Sequence, residues 1–365
     1  MENTELKQAA VALAAIDKSY IQSIPEPIES TTGKDYVYWG VDNHYPEYLN
    51  ELFNECNTLR TIIMGTADYV QGNDAQFTDP KFAFEVNKKG DTARELVQLL
   101  AKDYLTYGGF TFQVIRDKDG NIVELYWLDF RYVRTSEMGN EIFYSEDFAK
   151  RYTRSQKVLK YPRFIPEAKN VAASVVYYKN EKSHVYPSPV YVGALKACEI
   201  ERNIDEYHLS ALLNGFAPSY LINFLNGIPS DEEKAEIEKN ISDKFCGASN
   251  AGTFLLNFAN GKENAAEVIK LESEDFGEKY KAAATRAREQ IFCAFRAVPA
   301  LFGLMTESKG FTQEEFEQAF KLYNRTVVRS IQTLICDQLD KVMGTKGSLV
   351  ITPFTLENKT EETVE

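Results

Sequence analysis

The sequence predicts an α+β protein of more than one domain. Between Gly109 and Tyr144 apolar residues alternate with a period of two, whereas on both sides they recur at three and four residues. Two long amphipathic helices, Pro189 to Leu213 and Phe276 to Phe295, bracket an insert in which both patterns occur. A chain of 365 residues with 44% hydrophobic and 26% charged content exceeds what a single hydrophobic core ordinarily serves.

Taken in order, Asp42-Asn43-His44-Tyr45-Pro46 opens one helix, with Pro46 near its first position. Leu49, Leu52, Phe53, Leu59, Ile62 and Ile63 lie on its inner face and Gly72 beyond its end. Thr92 to Tyr107 forms a second helix, stopped by Gly108-Gly109. Strands follow at Phe110 to Arg116, Ile122 to Leu128, Tyr132 to Thr135 and Glu141 to Tyr144, with Asp119-Gly120 and Gly139-Asn140 as turns. Residues 40 to 180 thus read as an α+β domain. Pro162, Pro166, Pro187 and Pro189 punctuate a looser stretch around the apolar run Val175 to Tyr178, and Ser188-Pro189 starts the first bracketing helix. Ala197, Ile200, Ile204, Tyr207 and Ala211 make its seam, and at 1.5 Å per residue it spans roughly 37 Å.

The insert reads as β-α-β-β: a strand at Ser219 to Phe224, a capping box Ser230-x-x-Glu233, a helix with Ile237, Ile241 and Phe245 inward, and strands Thr253 to Phe258 and Glu267 to Leu271. Phe276, Tyr280, Ala283, Ala287, Ile291 and Ala294 form the seam of the return helix, which Pro299 cannot continue. Thr312-x-x-Glu315 caps a third long helix carrying Phe316, Phe320, Tyr323, Val327, Ile331, Leu334 and Val342 on one side, with Gly344 past its end. Such stripes suit either an intramolecular bundle core or packing between subunits.

Composition narrows the function classes. The 21 Tyr and 23 Phe exclude a disordered chain and leave rings available for subunit contacts, although most belong in the core. Cys56, Cys198, Cys246, Cys293 and Cys336 are odd in number and widely spaced, and read as buried thiols. The apolar run Val11 to Ile16 lacks the basic flank and cleavage site of a signal peptide, and no stretch reaches the roughly 20 apolar residues of a membrane span. A net charge of -13 argues against a protein that grips nucleic acid. Acidic walls would equally let a polyanion slide through a pore, and charge alone does not choose between that and ordinary solubility.

No phosphate loop, nucleophile elbow, H-E-x-x-H or paired Cys/His set is present, so no catalytic residue, metal or cofactor is expected. Asp117-x-Asp119-Gly120 with Glu124 shares part of a calcium-loop pattern but lacks the ligand at the fifth position and reads as a hairpin turn. His44, His184 and His208 each lack a neighbouring motif and read as structural.

Four segments in fixed order carry a resemblance: Gly40-Val41-Asp42-Asn43-His44-Tyr45-Pro46, Tyr186-Pro187-Ser188-Pro189, Asn214-Gly215-Phe216-Ala217-Pro218, and Ile291 through Arg296 to Val298-Pro299-Ala300-Leu301-Phe302-Gly303. Together they resemble the portal, or head-to-tail connector, proteins of tailed bacteriophages and prophages over most of the chain.

The resemblance implies a wing at 1–187, stem helices at 188–214 and 273–297, and a small α/β clip at 215–272. It further implies a tunnel loop and long wing helix at 298–345, a short strand or tail at 346–365, and a crown that is short or absent. The tunnel loop would bring Thr306, Glu307, Ser308, Lys309 and Gly310 to a DNA channel; Lys309 suits phosphate contact and a solvated loop equally. Asn226, Asp231, Glu232, Lys234 and Asn250 of the clip would dock partners.

The implied function is non-enzymatic: a ring of about twelve copies at one capsid vertex, assembled in the bacterial host cytoplasm, through which double-stranded DNA is packaged and ejected. The implied partners are other copies of the chain, the terminase large subunit, major capsid and scaffolding proteins, and a head-tail adaptor, with no membrane. A head-completion adaptor is the nearer rival reading. A metal-dependent hydrolase or nuclease using Asp42 and His44 is the farther one.

Overall fold

The computed structural model describes residues 25–30, 35–146, 148, 157–214, 218–224, 230, 233–234, 237, 253–258, 276–304 and 312–355. They are mixed helix and sheet, as predicted, and fall into two compact units. One comprises residues 1–51, 63–190 and 320–365; the other comprises 52–62 and 191–319.

In the first unit, strands β1 (Glu29–Ser30) and β2 (Tyr38–Trp39) form a small antiparallel pair. The first predicted helix is two, α1 (Tyr45–Glu55) and α2 (Asn57–Gln71), and strand β3 (Asp74–Phe77) follows. Helix α3 (Ala93–Tyr107) begins at a complete Thr92/Glu95 capping box and ends at Gly108, φ +84. A Cβ on Gly108 would lie 2.0 Å from the Ser188 carbonyl oxygen, and one on Gly109 2.5 Å from that of Tyr178. Two glycines are therefore what let the chain turn from helix into sheet.

Strand β4 (Gly109–Arg116) is the middle of an antiparallel sheet, with β5 (Ile122–Leu128) on one side and β9 (Ala173–Lys179) on the other. A second antiparallel sheet runs β6 (Val133–Thr135), β7 (Glu141–Tyr144), β8 (Leu159–Pro162). Strand β8 has no apolar alternation in the sequence to announce it; three of its four residues are exposed. The Asp117–Asn121 segment is the expected hairpin turn, with the Asp117 carboxylate accepting from the backbone N–H of Asp119 and Asn121. The core is aromatic: Trp39 is fully buried, stacks on Tyr186 at 4.6 Å and meets Phe130 edge-on at 5.7 Å.

The second unit is built on α4 (Leu195–Asn214) and α5 (Phe276–Ala294). Helix α4 starts six residues later than the predicted Pro189, because Val192–Ala194 forms a 3-10 turn first. Its 20 residues span about 30 Å rather than roughly 37 Å. Strands β10 (Pro218–Phe224) and β11 (Thr253–Phe258) pair in parallel, Leu221 opposite Leu255. The predicted strand Glu267 to Leu271 lies outside the described residues.

The third long helix is capped by Thr312 and Glu315 as predicted, but it is not uniformly α. Helix α6 (Gln313–Tyr323) passes through a π turn at Asn324–Val328 into α7 (Arg329–Met343), which ends at Gly344, φ +71. The extra residue shifts the buried face. Phe320, Tyr323 and Val327 are buried before the shift, and Val328, Ile331, Ile335 and Leu339 after it, so the predicted Leu334 is only half-buried. Strand β12 (Leu349–Thr352) closes the first unit by pairing antiparallel with β3.

Candidate functional site

Helices α4 and α5 form an antiparallel hairpin. At one end Tyr207 of α4 stacks on Tyr280 of α5 with ring centres 4.9 Å apart. At the other, Tyr191, just ahead of α4, stacks on Phe295 at 5.5 Å. Between them Ala197 and Ile204 on one side and Ala287 and Ile291 on the other are buried. The predicted seam residue Ile200 is 44% exposed, as are Tyr207 at 46% and Leu209 at 59%, so α4 carries apolar surface that the hairpin leaves uncovered.

The base of the hairpin is tied to the short segment 52–62 by Glu201. Its carboxylate accepts from the Thr58 hydroxyl at 2.7 Å, the Thr58 backbone N–H at 3.2 Å and the Cys56 thiol at 3.5 Å. One side chain from α4 thereby caps the first turn of α2, and the helix break falls at the fully buried Cys56. Arg202 continues the link, reaching Glu55 at 3.3 Å and Glu199 at 2.7 Å.

Beyond α5 the chain makes a 3-10 turn at Pro299–Phe302 and leaves it through Gly303, φ +79. Thr312 opens α6 on the other side, so both ends of the predicted channel loop are defined. Thr306, Glu307, Ser308, Lys309 and Gly310 themselves lie outside the described residues, as do Asn226, Asp231, Glu232 and Asn250. Of the predicted docking set only Lys234 is described, half-buried and helical, its N–H donating to the Ser230 carbonyl at 2.9 Å.

Asp42 and His44 meet within one turn, where His44 Nδ1 also lies 3.4 Å from the Asp42 carboxylate. The Asp42 carboxylate accepts from the His44 backbone N–H, and His44 Nδ1 lies 2.9 Å from the Asp42 carbonyl. Between them Asn43 holds φ +66, buried, its Oδ1 accepting from Trp39 N–H at 3.0 Å and Arg134 Nε at 2.5 Å. Arg134 is wholly buried; it also donates to the carbonyls of Asn43, Arg131 and Val133, and lies 3.7 Å from Glu47. Burial pulls the Arg134 guanidinium below its ordinary value and pushes the Glu47 carboxyl above its own, each opposed by the other's charge.

Nothing in the sequence around Arg134 announces this role; its partner Asn43 is 91 residues away. The conspicuous Gly40–Pro46 segment is thus an architectural joint. Among the described residues, no three His, Cys, Asp or Glu side chains could together hold a metal ion, and no helix is long and apolar enough to cross a membrane. A surface cavity of about 250 Å³ lies between Asp35–Val37 and the Ser136–Asn140 turn.

A chain from the neck of a native gene transfer agent particle, computed with C12 symmetry, superposes with a TM-score of 0.54 at 16% identity, covering 86% of each chain. A chain of the virion of a native gene transfer agent particle gives 0.52 at 16%, covering 84% of this chain and 83% of that one. A phage portal protein of the HK97 family from Corynebacterium diphtheriae gives 0.48 at 11%, covering 83% and 94%. No curated protein matches the chain. At these identities the structural likeness speaks to fold alone, and membership rests on the family model for phage portal proteins, which matches residues 76–357. The chain belongs to the phage portal protein family.

Proposed function

We propose that this chain is the subunit of a portal ring at one vertex of a phage or prophage capsid, through which double-stranded DNA is packaged and later ejected. The observation that carries the reading is the α4/α5 hairpin with the parallel β10/β11 pair between its helices in sequence, in a chain of the portal family. The C12 symmetry of the similarly folded neck chain supports a ring of twelve. Exposed Ile200, Tyr207 and Leu209 supply apolar surface for a neighbouring copy to cover.

In this reading 1–187 is the wing, α4 and α5 are the stem, and 215–272 is the clip that docks the terminase large subunit and then a head-tail adaptor. The segment 306–310 reaches the channel, where Lys309 meets passing phosphates. The ring contacts major capsid and scaffolding proteins, assembles in the host cytoplasm and remains in the virion. It breaks no bond and takes no cofactor. Negative-stain images of purified protein are expected to show a central hole with radial symmetry. Monomers alone across micromolar concentrations, with no ring in capsids, would overturn the reading.

A further inference from the structure

Two wholly buried cysteines, far apart in sequence, come together inside the second unit. Cys56 occupies the break between α1 and α2, and Cys198 lies in the first turn of α4. The Cys56 thiol is 3.5 Å from Glu201 Oε2 and within hydrogen-bonding reach of the Cys198 thiol. Cys198 and Glu201, three residues apart, share one face of α4. The same carboxylate holds the hydroxyl and the backbone N–H of Thr58, two residues beyond Cys56. The chain around Cys56 is therefore pinned against the face of α4 that carries Cys198.

A single buried cysteine behaves as a small, inert hydrophobe. Two whose thiols touch differ, because folding has already brought together the groups that a disulfide must join. Both are free thiols, as are Cys293, exposed on α5, and Cys336, partly exposed on α7. The contact with Cys198, then burial, then the Glu201 charge hold the Cys56 thiol above its ordinary value. Thiolate is therefore scarce in the closed structure, and reaction waits on local opening of the 52–62 segment.

We propose that Cys56 and Cys198 are a disulfide-forming pair, standing as thiols in a reducing medium and joined by a small-molecule disulfide in an oxidising one. On opening, one thiolate attacks a sulfur of the reagent, forming a mixed disulfide and releasing one reagent thiol. The neighbouring thiolate then attacks the protein sulfur of that mixed disulfide and releases the second reagent thiol. The protein loses two protons and two electrons, and both leave on the two reagent thiols. The bond ties the 52–62 segment covalently to α4, where hydrogen bonds to Glu201 otherwise hold it. Both sulfurs belong to one chain, so the link forms whether or not copies assemble.

Reduced full-length protein is incubated with oxidised glutathione at neutral pH, through a series of temperatures below its unfolding transition. Remaining thiols are then blocked in denaturant, and the chain is digested for mass analysis. A fragment joining Cys56 to Cys198, lighter by two hydrogens than its two thiol halves, is expected. Thermal unfolding is expected to rise by about 5–10 °C, because the bond closes a long loop, and excess dithiothreitol to reverse both effects. Cys56→Ala and Cys198→Ala abolish the fragment and the shift, whereas Cys293→Ala leaves both in place. Recovery of Cys56 and Cys198 as blocked thiols at the top of the series, or pairing of either with a different cysteine, overturns the proposal.

Discussion

Arg134 shows how much one buried side chain can hold. It donates to four oxygens, two on Asn43 and the carbonyls of Arg131 and Val133, and lies over the Phe148 ring at 4.9 Å. Arg134→Ala is expected to cost about 3–5 kcal/mol in urea unfolding, because Asn43, the Arg131 and Val133 carbonyls and Glu47 all lose their partner. Arg134→Lys recovers only part of that, since an ammonium cannot fork. Asp103 makes the opposite case. Buried beneath Trp127, it accepts from the indole N–H at 2.8 Å, and burial, then the Asp129 charge, hold its carboxyl well above the ordinary range. The folded state therefore binds the proton more tightly than the unfolded chain. Stability falls as pH rises from the ordinary carboxylate value toward the raised one. Asp103→Asn is expected to remove that slope, as measured by urea unfolding across a pH series.

Among the elements, those fixed by neighbours in sequence were legible in it. The boxes at Thr92/Glu95, Ser230/Glu233 and Thr312/Glu315 each form from residues three apart, and Gly108 and Gly344 stop their helices in the left-handed conformation only glycine adopts freely. Gly108→Ala is expected to destabilise by at least about 1 kcal/mol, since both φ +84 and the Ser188 carbonyl oppose a methyl group; thermal unfolding reads this. What the sequence did not reveal depends on distant partners. The break at Cys56 coincides with capture of Thr58 by Glu201, 143 residues on, and no pattern near Thr58 reports a carboxylate arriving from α4. Glu201→Ala is therefore expected to cost about 1–2 kcal/mol by freeing the first turn of α2. The π turn was hidden for another reason: hydrophobic stripes drift anyway on a long helix, and one inserted residue resembles that drift until burial is seen.

For the whole molecule, the ring reading joins a family relationship to a hairpin that leaves Ile200, Tyr207 and Leu209 exposed. Its channel was legible only by resemblance, because one lysine in a loop carries no pattern of its own. If the proposed channel role of Lys309 holds, Lys309→Ala leaves ring assembly unchanged and flattens the salt dependence with which the ring holds a short duplex. An unchanged salt slope would sink the assignment of Lys309 to the channel. The winding at Asn324–Val328 has its own consequence. A rod that stores one surplus residue can be lengthened by about 1.5 Å and swivelled by about 100° without breaking, simply by letting the slack run out toward Gln313. Strand β12, paired antiparallel with β3, fastens the chain just beyond the C-terminal end of α7, so the slack has no outlet on that side.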